Sequence, residues 1–333
     1  MKVKFFTEGG RGIGIGHLTR CLSLCQAFEE KGGECHFVVK GDEKVKGIVK
    51  QNLKLLDWVN DFHIYEQELE GADVVVIDSY MATLKHYFLA CEKAKGSLFI
   101  DDFLRLEYPC GVVLNGSVYV QELNYPHKDS VEYLLGTRYI PLRKSFWEVE
   151  EKPIKDKVEN ILITFGGDDS RDMTPKVLML LDKHFPHLKK LVVVGPEFRN
   201  RENVYSFYSE NVIIYENIQA EQMKNLMMQS DIAISAGGQT TYELARVGLP
   251  SVLVAVADNQ LMNCMGWSKT GFAKYAGWWE DDKIFDNIVK AIKELMDINV
   301  RLSISEIGRS LVDGQGGRRV ADLIKRNLTH ERE

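Results

Sequence analysis

"GGRGIGIGHLTRCLSL", residues 9–24, decides how this chain is built. Glycines at positions 10, 12, 14 and 16 lead directly into His17, where an apolar-patterned run begins. Upstream, "KVKFFT" (2–7) has the pattern of a strand. Downstream, Leu18, Cys21, Leu22, Cys25 and Phe28 recur at helical spacing until Gly32-Gly33, which predicts a helix from about His17 to Lys31. Glycine lets the backbone take positive φ and approach a ligand closely. The helix start that follows offers unpaired amides and a positive dipole end to an anion.

The stretch is not a dinucleotide fingerprint. Counting from Gly12 and Gly14, the third glycine would fall at residue 17, which is histidine. The second strand, "CHFVV" (35–39), is followed by Lys40 and Gly41 instead of an acid. Nicotinamide chemistry is therefore disfavoured. His17 is the informative residue. In the first turn of a helix the dipole should lower its pKa and leave a neutral imidazole able to act as a general base. Alternatively, the same ring caps the helix or donates to a phosphate.

The pattern repeats along the chain. "DVVVID" (73–78), "SLFIDDF" (97–103) and "GVVLNGS" (111–117) are apolar strands ending in polar residues or glycine. Runs of this kind between helices predict a parallel sheet covered on both faces. The charged segment 145–160, with Pro153, marks a boundary, giving expected domains at 1–148 and 149–333. A second series follows it: "NILITFGGDDS" (160–170) is strand then turn, "KKLVVVG" (189–195), "NVIIYE" (211–216), 231–235 and "PSVLVAVA" (250–257) are strands, 174–185 and 220–230 are helices, and 320–333 is a last helix. The expected architecture is α/β, two Rossmann-like domains facing a cleft at the carboxyl ends of their strands.

Within the second domain, "SAGGQTTYELARVGLP" (235–250) runs from Ser235 through Gly237-Gly238 into a helix that opens with Gln239, Thr240 and Thr241. Amides and hydroxyls together suit a diphosphate, and Glu243 lies within reach of a sugar hydroxyl; a plain tight turn is the alternative. Asp258, Asn259 and Gln260 crowd the end of the next strand, and Gly166-Gly167 in "TFGGDDS" (164–170) follow another. The neighbouring carboxylates Asp101-Asp102 and Asp168-Asp169 should point apart at strand ends and form no acid/base pair. The remaining histidines show no metal-ligand spacing, so neither metal nor cofactor is expected.

Bulk properties narrow the function. The chain has 333 residues, a formal net charge of -6, 45% hydrophobic and 27% charged residues. That composition is globular, and the acidic balance argues against a nucleic-acid partner. Glu8 and the glycines interrupt the N-terminal "MKVKFF" before any signal-peptide core can form, and no apolar run reaches the ~18 residues of a spanning helix. Six cysteines without a CxxC pair suggest reduced structural thiols and a cytoplasmic protein.

A glycine loop ending in "GIGH", a helix carrying Arg20, "FGGDD", and "SAGGQT…EL…GLPSV…NQ" together resemble the GT-B superfamily. Within it the sequence is similar to the UDP-2,4-diacetamido-2,4,6-trideoxy-β-L-altropyranose hydrolase family of pseudaminic-acid biosynthesis and to spore-coat polysaccharide proteins, over about residues 1–280. The resemblance implies inverting hydrolysis of a UDP-sugar, with His17 activating the water beside Gly14, Gly16 and Arg20. It makes Tyr80 of "IDSY" an active-site group. It places the diphosphate on Gly237 and Gly238, the ribose on Glu243 and a sugar or pyrophosphate contact on Asn259; the strand-end reading adds Ser235, Thr240, Gln260, Gly166 and Gly167 as candidate substrate contacts. "SAGGQT" departs from a Ser-Ser step in that family and leans toward the transferases. A UDP-sugar is the expected partner, with a monomer as the expected state. A glycosyltransferase using the same residues is the main alternative, and a nucleotide-sugar binding module without turnover is the next.

Overall fold

The structure is a computed structural model that describes residues 1–10, 13–50, 52–199 and 201–330. The chain folds into two compact units, Met1–Lys144 with the segment from Gly314 onward, and Ser145–Asp313.

In the first unit the elements run β1 (Lys2–Gly9), α1 (Gly16–Glu30), β2 (Glu34–Gly41), β3 (Leu53–Leu55), α2 (Phe62–Leu69), β4 (Val74–Asp78), α3 (Leu84–Lys93), β5 (Gly96–Ile100), β6 (Gly111–Asn115) and β7 (Val131–Leu135). The sheet has seven parallel strands in the order β3-β2-β1-β4-β5-β6-β7. Strand β4 is buried at every position, as a strand covered on both faces must be. Phe6, Trp58, Tyr65, Tyr87, Phe99 and Tyr108 pack one side of the core, and the Trp58 indole donates to the Thr7 carbonyl at 2.9 Å.

The second unit runs β8 (Asn160–Thr164), α4 (Met173–His184), β9 (Lys189–Val194), α5 (Arg201–Tyr205), β10 (Val212–Glu216), α6 (Ala220–Gln229), β11 (Ile232–Ala236), α7 (Thr240–Val247), β12 (Ser251–Ala255), α8 (Leu261–Thr270), β13 (Ala273–Trp278), α9 (Ile284–Leu295) and α10 (Ile298–Leu311). Its six parallel strands are ordered β10-β9-β8-β11-β12-β13. Both sheets therefore reverse strand order once, between β1 and β4 and between β8 and β11. Ligands of doubly wound sheets bind beyond the strand ends at such reversals.

Two expectations are corrected. The division falls after Lys144, and the last helix, α11 (Gly316–His330), belongs to the first unit instead of to a 149–333 domain. Val320, Ala321 and Ile324 bury its apolar side, and Arg318–Glu30 and Asp322–Lys31 ion pairs at 2.6 and 2.7 Å fix it on α1. The cysteines are also not all free thiols. Cys91 of α3 and Cys110, just before β6, form a disulfide, while Cys21, Cys25, Cys35 and Cys264 are buried and free. The two half-cystines sit 19 residues apart, too far in sequence for a local motif to announce them. No helix among the described residues is long and apolar enough to cross a membrane.

Closing a loop of that length restricts the unfolded chain by about 3 kcal/mol. The pair Cys91→Ser/Cys110→Ser should therefore lower the urea-unfolding free energy of the oxidised protein by about 2–4 kcal/mol. A strong reductant should do the same to the wild type and leave the double variant unmoved.

Candidate functional site

The first cluster lies at the strand reversal of the first unit. β1 and β4 pair with Thr7 opposite Asp78, so the end of β4 comes up beside the glycine turn. That turn closes on itself: the Gly10 amide donates to the Gly14 carbonyl at 3.0 Å and the Gly14 amide to the Gly10 carbonyl at 2.9 Å. Gly10 and Gly14 both have positive φ, 115° and 86°, which is why glycine is required at each. The Gly14 amide is thus engaged in the loop and is not offered to an anion. A side chain at Gly14 or Gly16 would meet nothing within 4 Å, so the space before α1 is open. Gly12 lies outside the described residues.

His17 opens α1 with 9% of its surface exposed, and its Nδ1 lies 2.6 Å from Asp78 Oδ1. An ionised carboxylate only accepts, so the network assigns the ring proton to Nδ1 and leaves Nε2 with the lone pair. Nε2 has no hydrogen-bond partner among the described residues. Arg20, one turn on, straps two carboxylates: Nε and Nη2 donate to Asp78 at 2.9 and 2.8 Å, and Nη1 and Nη2 to Asp102 at 2.6 and 3.0 Å. Tyr80 donates to Asp102 Oδ2 at 2.6 Å, and its ring stands edge-on to His17 with centroids 4.5 Å apart. Beneath them the buried Glu8 carboxylate accepts from Ser79 Oγ at 2.7 Å and the Tyr80 amide at 2.8 Å, fixing the turn that presents Tyr80.

Charge decides the protonation states. Burial alone would raise the Asp78 carboxyl, but Arg20 and then His17 outweigh it and hold it well below the usual carboxylate range. Burial would likewise lower His17, yet the charge and hydrogen bond of Asp78 override it and raise the imidazole above its ordinary value. This corrects the expectation of a dipole-lowered histidine. A full charge at hydrogen-bond distance outweighs the roughly half charge of a helix start. The Tyr80 phenol is pushed up by burial and then by Asp102, so it remains a donor.

The second cluster lies at the reversal of the second unit. Gly166 follows β8 with φ 82° and nothing within 4 Å of a would-be Cβ, and Gly167 continues the turn. Of the next two carboxylates, Asp168 is exposed and Asp169 is buried, accepting from the Met173 and Thr174 amides at 2.9 and 2.8 Å to cap α4. Beyond β11, Ser235 is buried and donates to the Ala236 carbonyl at 3.0 Å. Gly237 is held from all sides. Its amide donates to Gln260 Oε1 at 3.1 Å, its carbonyl accepts from Asn263 at 2.8 Å, and a Cβ there would meet Cys264.

Gln260 therefore works inward, since the same oxygen also accepts from the Val256 amide at 3.2 Å. Thr241 continues the lock, accepting from Asn263 at 3.0 Å and from the core residue Trp267 at 2.8 Å. With Gly237 occupied, the groups that α7 leaves toward solvent are Gly238, which has open space around it, and the half-buried Thr240, whose amides have no partner among the described residues. Glu243 is buried on α7, and Asn259 is exposed in the turn after β12.

Sequence reasoning singled out His17, Arg20 and Tyr80, and the structure gathers these three. It passed over Glu8, Asp78 and Asp102. Asp78 had a visible signal, because it closes the apolar run Val74–Ile77 of "DVVVID". Asp102 did point away from Asp101, which instead accepts from the Tyr125 phenol at 2.6 Å, but each found its own partner.

Residues 160–301 match the model of the glycosyltransferase family 28 C-terminal domain. Across 98% of this chain and 100% of the other, the structure is similar to Acinetobacter baumannii MurG, with a TM-score of 0.69 at 16% identity. The chain has the GT-B fold. This GT-B chain is also 25% identical over 291 residues to a Helicobacter pylori protein named pseudaminic acid cytidylyltransferase and UDP-2,4-diacetamido-2,4,6-trideoxy-beta-L-altropyranose hydrolase, covering 86% of this chain and 51% of that one. It is 25% identical to the Bacillus subtilis spore coat polysaccharide biosynthesis protein SpsG over 98% of both chains. It spans about half the length of the H. pylori protein and of a second curated relative.

The ion pair makes a signed prediction. Because its pKa is raised, His17 contributes stability that is fully present below the unfolded value of about 6.5 and is lost as pH rises through the folded value. In Asp78→Asn, burial and Arg20 are opposed only by the more weakly acting Asp102 charge, so the NMR-titrated His17 pKa should fall below that of the wild type. An unchanged value would show that Asp78 does not set it.

Proposed function

We propose that this chain hydrolyses a UDP-linked deoxy-amino sugar to UDP and free sugar with inversion, in pseudaminic-acid or surface-polysaccharide biosynthesis. The observation that carries the reading is the His17–Asp78 pair at the strand reversal, with the Nε2 lone pair unengaged among the described residues. The names of the H. pylori and B. subtilis relatives support the substrate class. In this mechanism His17 Nε2 takes a proton from water as the water oxygen bonds to the anomeric carbon. The bond from that carbon to the diphosphate oxygen breaks with its electron pair leaving on UDP. Asp78 stabilises the imidazolium that forms, and the oxocarbenium-like transition state inverts the centre. The amides of Gly238 and Thr240 at the start of α7, without a partner among the described residues, are assigned to the leaving diphosphate together with the Gly166-Gly167 turn. Glu243 and Asn259 are assigned to the nucleotide and sugar hydroxyls, and Gln260 and Gly237 act by holding the α7 turn in shape.

A second reading, transfer to an acceptor hydroxyl, uses the same residues. It is favoured by the family 28 domain and by exposed apolar side chains beside Tyr80: Met81 and Leu84, each 38% exposed, and Phe88 at 55%. Incubation with UDP-linked deoxy-amino sugars, with and without acceptor, separates the two. Hydrolysis predicts UDP release without acceptor, a kcat lowered by roughly 10²–10⁴-fold in His17→Ala, and retained UDP binding in that variant. Release that depends on an acceptor, or that survives the loss of His17 undiminished, would overturn the reading.

A further inference from the structure

The lower half of α1 holds a second cluster that the proposed reaction does not use. Cys25 and Glu29 stand four residues apart on one face of the helix. The tight turn after the helix, with Gly32 at φ 79° and the Gly33 amide on the Phe28 carbonyl at 2.8 Å, folds β2 straight back, so that Cys35 arrives opposite them. Each of the three residues offers a donor atom, and these atoms all lie within 4.8 Å of one another, the one such group of His, Cys, Asp or Glu among the described residues. The Cys35 thiol donates to the Cys25 carbonyl at 3.6 Å.

We propose that Cys25, Glu29 and Cys35 bind a thiophilic divalent cation of the zinc class, with water in the fourth position. Around a tetrahedral ion with metal–sulfur bonds of about 2.3 Å and metal–oxygen bonds of about 2.1 Å, ligand atoms stand about 3.6–3.8 Å apart, so the existing cluster needs only small side-chain adjustments. Two thiolates and one carboxylate favour zinc over magnesium or calcium, which take oxygen shells. Cys25 and Cys35 are buried at 6% and 4% exposure, whereas Glu29 is exposed, which gives the ion an entry path and leaves room for water. Thiols serving only as core packing do not call for a surface carboxylate folded over them; here the Glu29 carboxylate lies within 4.8 Å of both sulfurs. A bound ion would clamp α1 to β2 two turns beyond His17. The inference is independent of the proposed reaction.

Titration of the reduced, chelator-stripped full-length protein with Co²⁺ alone tests it. The expected result is a thiolate-to-cobalt charge-transfer band that saturates at one equivalent and is displaced by Zn²⁺. The band should vanish in Cys25→Ser and Cys35→Ser and persist in Cys264→Ser. Glu29→Gln changes only an exposed side chain and leaves the core intact. It should weaken binding by at least the roughly tenfold that loss of even an outer partner costs. Absence of the band in protein shown to be folded by circular dichroism, its survival in either serine variant, or full affinity in Glu29→Gln would overturn the proposal.

Discussion

One buried carboxylate organises the first unit. Asp78 is 1% exposed, yet it stays charged because Arg20 donates to it twice and His17 once. Removing one partner from such a buried pair typically costs about 3–5 kcal/mol, so the three residues are fixed as a set. The geometry of α1 follows from that constraint. His17 and Arg20 are three residues apart, both face the end of β4, and the glycine turn must deliver the helix at the angle that lets both reach. Arg20 then spends its remaining donors on Asp102, which orients Tyr80. A basic imidazole, a rigid phenol and a strapped guanidinium all trace back to a single charge at the end of a strand.

The second unit solves the same topological problem with neutral groups. Gln260, Asn263, Thr241 and Trp267 lock the Gly237 turn by hydrogen bonds, and no carboxylate takes part in those four contacts. A locked turn keeps the amides at the start of α7 fixed and turned outward. Preorganised donors of this kind stabilise developing negative charge without reorganising as it appears. The first unit thus carries a histidine whose basicity a carboxylate strengthens, and the second a turn whose donors are held in place.

Much of this was legible in the sequence, for identifiable reasons. Parallel strands buried on both faces leave continuous apolar runs, so β1, β4, β8, β11 and β12 stood out. The short β3 and the polar-patterned β7 and β13 did not. Glycine turns announced both strand reversals. Partnerships across the fold were hidden, because nothing local tells that Asp78 faces His17 at a separation of 61 residues or that Cys91 meets Cys110. The direction of the His17 shift was misjudged for the same reason: the helix dipole is visible locally, and the carboxylate that outweighs it is not. Gln260 has the composition of a ligand contact, and only its position shows that it braces Gly237. The docking of α11 on the first unit rests on buried Val320, Ala321 and Ile324, with ion pairs to Glu30 and Lys31 near the other end of the chain, contacts that no local pattern announces.

The most direct measurement is the pH dependence of kcat/KM for UDP release by the wild-type protein, which reports the free enzyme's essential base. A base whose proton affinity is strengthened by Asp78 predicts an activity that rises with pH through a pKa above the ordinary histidine value of about 6.5. A rising limb centred below that value, or a profile flat across the neutral range, would contradict a histidine set by a buried carboxylate.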